Sequence, residues 1–524
     1  MAHPLNGPTP MNTNLAETSA RRALVLAAVC LAALCMPLSF TGPAIAIPAI
    51  AAELHGSPLA LAWISNAFML SFGGCLMVAG TLADRYGRKR VFLMGMSLFG
   101  AATLALAAAP SILLLDVLRA VQGLACAMAL SSGLAALAQE FDGSSRARAF
   151  SLIGTAFGAG LAFGPFLAGS VIDHGGWRSL FLITAAPGLT ALLIAARTMN
   201  ESRDPQAGKV DWAGALSFTS ALSLFTYALL QAPHSGWSSP ASLGLLGGAA
   251  LLLISFVAIE RSSARPMLDL SLFRLPAFAG VQLLAAAPAF SFVVLLVLLP
   301  ARLIGIEGYT SFQAGGMMVA LSAPMLLLPM LASLAAQRIS AAHICCGGLL
   351  LTAAGLLWLS QCAPGLPATS LLPPLLLIGC GISLPWGLMD GLAVSVVPTE
   401  RAGMAAGIFN TTRVAGEGIA LAIVSAMLAA LALAALLSVP GIDMQQATLA
   451  APFLAIGELQ HAGTLLPQLD LAALAQAYGT AFRHLLYVLA AITIASSLLL
   501  LAFLRHPASA EEAAAPLPVC DTSS

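Results

Sequence analysis

The sequence predicts an all-α polytopic membrane protein with about fourteen transmembrane helices. Three observations predict it. Of the 524 residues, 59% are apolar and 8% are charged, and the mean hydropathy is +0.93. Soluble proteins carry about 25% charged residues, so this chain cannot assemble a water-facing surface. Apolar runs of roughly 20 residues, long enough to cross ~30 Å of hydrocarbon, recur along its whole length. Lys and Arg also gather in alternate connections between those runs, as the positive-inside rule requires of a cytoplasmic face.

In order, the apolar runs lie near residues 23–50, 60–83, 91–109, 112–138, 149–172, 178–197, 211–231, 241–259, 277–301, 312–336, 341–360, 368–397, 402–436 and 481–504. An even number returns both ends to one side. With the N-terminus inside, Arg21, Arg22, Arg85, Arg88, Lys89, Arg90, Arg146, Arg148, Arg197, Arg203, Lys209, Arg261, Arg265, Arg274, Arg338, Arg401 and Arg505 face the cytoplasm. Arg178, Arg302 and Arg483 fall outside, near helix ends. The expected location is the inner (plasma) membrane, with both termini cytoplasmic.

The N-terminal tail, 1–22, is polar and lacks the apolar core of a signal peptide, so the first helix is expected to insert uncleaved. Residues 437–478 form a long outer loop. Its stretch Leu466-Pro-Gln-Leu-Asp-Leu-Ala-Ala-Leu predicts an amphipathic segment lying on the outer surface. The Ala/Pro-rich tail, 506–524, is expected to be disordered.

Composition and motifs narrow the function. The net charge is zero, which offers no basic field to nucleic acid. No Gly-x-x-x-x-Gly-Lys-Ser/Thr string occurs, so the chain does not draw on ATP. The nine cysteines lie in apolar runs, at a helix end or in the tail, without metal-ligand spacing to His, and are expected to behave as small hydrophobes rather than disulfides. No metal and no cofactor are expected. A membrane enzyme would need clustered His or paired carboxylates near an interface, and neither is found.

Charges inside the runs are the candidate site residues, because a charge at a helix centre costs about 2.5–3.5 kcal/mol. Arg119 lies roughly 8 residues into the fourth run, ~12 Å deep. It either pairs with Asp116 one turn away or holds a carboxylate ready for a proton. Arg413 and Glu417 share a helix face four residues apart and could form a neutral structural pair. Asp390 has no cation on its own helix and is the first choice for the proton carrier, with Glu417 second. Burial and a nearby cation act oppositely on a carboxyl's proton affinity, so such acids can be tuned. Phe163, Phe225, Met317, Met325, Trp358 and Trp386 could line an adaptable pocket, but such residues more often face lipid or other helices.

Three strings carry a family resemblance. Between runs two and three stands Gly80-Thr-Leu-Ala-Asp84-Arg85-Tyr-Gly87-Arg88-Lys89-Arg90. It resembles the loop signature of the major facilitator superfamily and implies a gating hinge built on Gly80, Asp84, Arg85, Gly87, Arg88 and Lys89. Run five contains Gly158-Ala-Gly160-Leu-Ala-Phe-Gly164-Pro165-Phe-Leu-Ala-Gly169, similar to the family's antiporter signature through Gly160, Gly164, Pro165 and Gly169. It fits helix packing alone or packing with gating. Run four, Arg119-Ala-Val-Gln122-Gly123, resembles the family's R-x-x-q-G string. Trp63, Trp177-Arg178-x-x-Phe181 and Asn410-x-x-Arg413 further resemble the fourteen-span drug:proton antiporter branch. That branch carries an acid in run one where this chain has Ser39, so a proton site would have to lie elsewhere.

The resemblance, which covers most of 23–505, implies an N-terminal six-helix bundle (23–200), an inserted two-helix segment (201–275) and a C-terminal six-helix bundle (276–505). A weak internal repeat agrees: aligning Arg148 with Arg401 sets Gly154 on Gly407 and places Arg413 and Glu417 where the first copy has small residues. The second copy of the hinge has decayed to Ala332-Ser-Leu-Ala-Ala-Gln337-Arg338. The function implied is proton-coupled efflux of small amphipathic compounds by alternating access. A metabolite carrier on the same fold and, remotely, a non-transporting sensor are the alternatives. The partners expected are a small-molecule substrate, protons and the lipid bilayer; a periplasmic adaptor is left open.

Overall fold

The computed structural model describes residues 11–204, 210–263, 268–397 and 401–504. Among them no strand occurs. The chain opens with α1 (Met11–Leu54), α2 (Pro58–Tyr86), α3 (Arg88–Ala107), α4 (Ile112–Glu140) and α5 (Gly143–Thr198). Helices α6 (Trp212–Ser235) and α7 (Pro240–Ser262) follow. The next crossing, Pro276–Ile306, joins α8 (Pro276–Pro288) and α9 (Leu295–Ala301) through a π turn. Then come α10 (Ser311–Ser322) and α11 (Leu328–Ala335) within one crossing, α12 (Ala341–Leu359), α13 (Ala368–Trp386) and the short α14 (Met389–Ser395). The chain closes with α15 (Ala402–Leu437), α16 (Met444–Ala455), α17 (Leu459–Leu465) and α18 (Leu471–Leu504).

Thirteen helical segments are long and apolar enough to cross a membrane. One of them, Arg148–Thr198, has 51 residues, which as a straight helix would run ~76 Å, against ~30 Å of hydrocarbon. Gly176, at φ 74 and ψ 169, breaks it. Both limbs lie beside α1: Gly164 faces Thr41 while Gly42 faces Leu180. The chain therefore reverses at Gly176, and the two runs predicted at 149–172 and 178–197 are its two limbs. A side chain would resist that left-handed conformation; glycine does not.

Helix α1 starts at Met11 and so already runs through 11–22, a stretch with no Gly or Pro to stop it. One expectation is corrected. The Leu466–Leu474 stretch is not a surface-lying amphipathic segment. Asp470 accepts a hydrogen bond from the Ala473 N–H at 2.7 Å, and α18 begins there. The rest of that loop folds as α16 and α17, whose Ala447, Ala450, Leu454 and Ala462 are buried. Burial raises the Glu458 carboxyl there above its ordinary range, against the opposing pull of His461. The tail 506–524, Lys209, Arg265 and Arg505 lie outside the described residues.

The helix ends sort into two faces. Arg21 donates to Thr198 O at 3.2 Å and pairs with Glu140, which gathers the start of α1 and the ends of α4 and α5. Phe503 and Leu504 at the end of α18 lie against Gly280 near the start of α8. The opposite, far face holds Glu53, which binds both Trp177 and Arg178, and the buried Arg302–Glu307 pair at 2.7 Å.

The first part of the chain (α1–α5) meets the last (α8–α18) along two seams. At one, Gly73 of α2 faces the backbone of Ala415 in α15, and Gly418 faces Met69. At the other, Gly169 and Pro165 of α5 meet Ser311 and Gly315 of α10. Without a hydrophobic drive between helices in lipid, small residues that admit close backbone contact hold such seams. Helix α6 covers the first seam from outside. Thr219 donates to Gly74 O at 3.3 Å, the Trp63 and Tyr227 rings lie 6.1 Å apart, and Leu229 and Leu230 pack on Ala422.

Candidate functional site

Between the seams runs a narrow cleft with aromatic walls. Phe40 of α1, Phe68 and Phe72 of α2, Phe157 of α5, Phe292 and Trp386 line it, and Arg413 and Glu417 of α15 bring charge to it. Of the adaptable residues singled out by sequence, Trp386 lines the cleft, whereas Phe163 and Trp358 are exposed on the outside of the bundle.

The charges pair differently from expectation. The Arg413 guanidinium donates to Asn410 Oδ1 at 2.7 Å and reaches Asp390 Oδ1 at 3.5 Å. It forms no salt bridge with Glu417. The cause is helix geometry: side chains lean toward the N-terminus of their helix, so Arg413 leans toward Asn410 and away from Glu417. Asp390 is brought to the same place because α13 ends at Trp386 and the chain restarts as α14 with Asp390 in its first turn. The Arg413 side chain is 12% exposed and that of Asp390 is 62% exposed. The pair thus sits at the mouth, and Glu417 lines the cleft about a turn deeper.

Arg119 is fully buried, but not against Asp116. Its Nε donates to Ile64 O at 2.8 Å and its Nη1 to Gln122 Oε1 at 2.5 Å. Gln122 in turn donates to Thr103 Oγ1 at 2.7 Å. The guanidinium lies 4.4 Å from the centre of the Phe68 ring, a cation–π contact. Arg119 therefore stands behind a wall of the cleft, fixed among α2, α3 and α4. Asp116 Oδ1 is buried without a hydrogen-bond partner, as is Ser39 Oγ in α1.

The hinge closes on its own half. Asp84 Oδ1 accepts from Arg88 Nε at 3.0 Å and Nη2 at 2.8 Å. Gly87 has φ 115, open to glycine and strained for any side chain, and a Cβ there would strike the Glu201 carboxylate. Glu201, just past α5, accepts from the backbone N–H groups of Lys89 and Arg90, each at 3.2 Å. It satisfies donors that the first turn of a helix leaves orphaned. Two backbone bonds, Arg88 N to Ser202 O at 2.9 Å and Asp204 N to Asp84 O at 3.0 Å, strap the segment down. The Arg85 guanidinium lies 5.4 Å from the Tyr86 ring, and Gly80 faces Ser131 at ordinary contact distance. Sequence reading missed Glu201. Its one available signal was an acid on the hinge side of the membrane.

The antiporter-type string divides between two partners. Gly160 and Gly164, one turn apart, face Pro37, Leu38 and Thr41 of α1. Gly169 and the Pro165 carbonyl meet α10. Helix α5 is thus wedged between its own half and the other.

The family model described as Major Facilitator Superfamily matches residues 29–421. The chain is 33% identical over 387 residues to the multidrug resistance protein Stp of Mycobacterium tuberculosis, covering 74% of this chain and 72% of that one. It is 29% identical to the tetracenomycin C resistance and export protein of Streptomyces glaucescens, covering 77% and 75%. Among solved structures, a bacterial homologue of the human lysosomal transporter Spinster, inward-facing and unoccupied, superposes with a TM-score of 0.64 at 17% identity over 95% of this chain and 98% of that one. That likeness shows the fold. With the all-helical architecture, the two glycine-lined seams and the hinge loop, these matches establish that the chain belongs to the Major Facilitator Superfamily.

Proposed function

We propose that this protein is a proton-driven exporter of small amphipathic compounds, set in the inner membrane with both termini in the cytoplasm. One observation carries the reading: a lone carboxylate, Glu417, lines an aromatic cleft at the seam between the halves, next to the Arg413–Asp390 pair at its mouth. Aromatic walls suit varied apolar bodies without fixed polar recognition. The named resistance and export roles of Stp and the tetracenomycin C protein agree with it.

The two six-helix bundles, 23–200 and 276–505, rock about the cleft, with the pair in 201–275 inserted between them. Glu417 is the proton carrier, in preference to Asp390, which Arg413 engages at the open mouth. Proton uptake neutralises Glu417, so the states of the cycle need only differ in how well they hold its charge. One charge crossing 100 mV supplies about 2.3 kcal/mol, roughly a 50-fold concentration gradient. The Asp84–Arg88 hinge holds one of the states.

The test is a compound-susceptibility panel in a pump-deficient host, comparing the intact chain with Glu417→Gln at matched membrane levels. Protection by the intact chain that is lost in the variant is expected. Protection undiminished by a proton ionophore would end the antiport reading.

A further inference from the structure

The far face of the molecule is held shut by a contact that crosses the two halves. Helix α10 begins with its own capping box: Thr310 Oγ1 accepts from Gln313 N at 3.2 Å, and Gln313 Oε1 accepts from Thr310 N at 3.1 Å. The Ala314 N–H reaches Thr310 O at 3.0 Å. Two first-turn donors, Ser311 N and Phe312 N, are left over. An isolated helix would give them to water. Here both go to one carboxylate from the other half: Asp173 Oδ1 accepts from Ser311 N at 3.2 Å and Oδ2 from Phe312 N at 3.0 Å.

Around this contact the helices touch backbone to backbone. A Cβ on Gly169 would strike Ser311 O, and one on Gly315 would strike Pro165 O. The Phe166 and Phe312 rings meet across the seam, tilted, with their centres 5.1 Å apart. Nearer the other face, Gly154 of α5 and Gly407 of α15 have no atom within 4 Å of where a Cβ would stand. The carboxylate therefore sits at the closely packed far end of the α5–α10 seam, and its negative charge complements the positive end of the α10 dipole.

We propose that Asp173 is the far-face latch of the transport cycle, a gate residue that must release the N-terminus of α10 before the cleft can open on that side. The proposal rests on the alternating-access reading. It assigns to an acid outside the membrane core, four residues beyond the α5 glycine string, the task of setting how much of the protein is closed at the far face. Charge-assisted hydrogen bonds are the stronger kind. Because Asp173 is exposed, water competes for both partners, and a shift of roughly fivefold in the open-to-closed ratio is expected on its removal.

The experiment places spin labels at His174, beside the latch, and Leu366, in the exposed far-face turn between α12 and α13, and measures their distance distribution in vesicles. In the parent a short distance should dominate. Asp173→Ala should raise the long-distance population about fivefold relative to the short one. Asp173→Asn, which keeps the shape and one acceptor, should shift it less, and Asp173→Glu least. Should the Ala variant not accumulate, the Asn variant decides alone. Superposable distributions for parent and variants would overturn the latch. The measurement needs no known substrate: a parent that exports nothing in a compound panel would sink the export reading, while the distance shift would still decide the latch.

Discussion

Arg413 reaches across from α15 to Asp390 at 3.5 Å and leans away from Glu417, four residues further along its own helix. This one choice of partner separates Arg413 and Glu417, which sequence spacing pairs, and joins Arg413 to Asp390, for which spacing offers no cation. It leaves a paired acid at the mouth and an acid without a salt bridge inside the cleft.

The two acids should therefore differ in their mutants. Glu417→Gln should reduce substrate-induced proton movement in reconstituted vesicles by tenfold or more, about 1.4 kcal/mol of lost coupling. Asp390→Asn should lower it only a few-fold, because Asn410 still holds Arg413. The reverse ranking would show that the mouth carboxylate is the carrier.

The Gly80–Arg90 loop is tied to an acid from outside its own string, Glu201. Glu201→Ala leaves the first N–H groups of α3 without their acceptor and should slow maximal transport several-fold at unchanged apparent affinity. Glu201→Gln, which retains an acceptor oxygen, should recover part of the rate. Gly87→Val should be worse than either, since it meets both the positive φ and the Glu201 carboxylate. Equal transport by Gly87→Val and the parent would reduce the loop to a topology signal.

Helix α5 should tolerate no bulk at its two contact stripes. Gly164→Val pushes on Thr41 and Leu38 within one half, whereas Gly169→Val pushes on α10 in the other. Overpacking costs typically 1–3 kcal/mol. Gly164→Val should lower thermal stability in detergent, and Gly169→Val should instead favour separation at the far face. A Gly169→Val protein with unaltered far-face label distances would contradict the second assignment.

Orientation is open to direct labelling. Cysteines placed at Met444, exposed on α16, and at Arg203, in the strap behind the hinge, should react with an impermeant reagent from opposite sides, Met444 from outside. Labelling of both from one side would refute the fourteen-crossing topology.

The sequence by itself determined the helices, because length and apolarity alone decide what can cross a bilayer. It also made the Gly80–Lys89 loop and the α5 string recognisable, because glycines at such spacing mark where another backbone can approach closely, though not which one. The reversal at Gly176 was legible as two apolar runs. The partners were not. Arg119 could be read against Asp116 and Arg413 against Glu417, since spacing along one helix gives only the neighbours three and four residues away. The structure gave Arg119 to Ile64 and Gln122, Arg413 to Asp390, Glu201 to α3 and Asp173 to α10. Apart from Gln122, one turn along the Arg119 helix, each of these contacts joins different helices or a helix to a strap. Such contacts depend on how crossings are arranged around one another. A buried charge or an orphaned helix end takes whichever acceptor or donor the packing brings within about 3 Å, and that is decided only when the helices assemble.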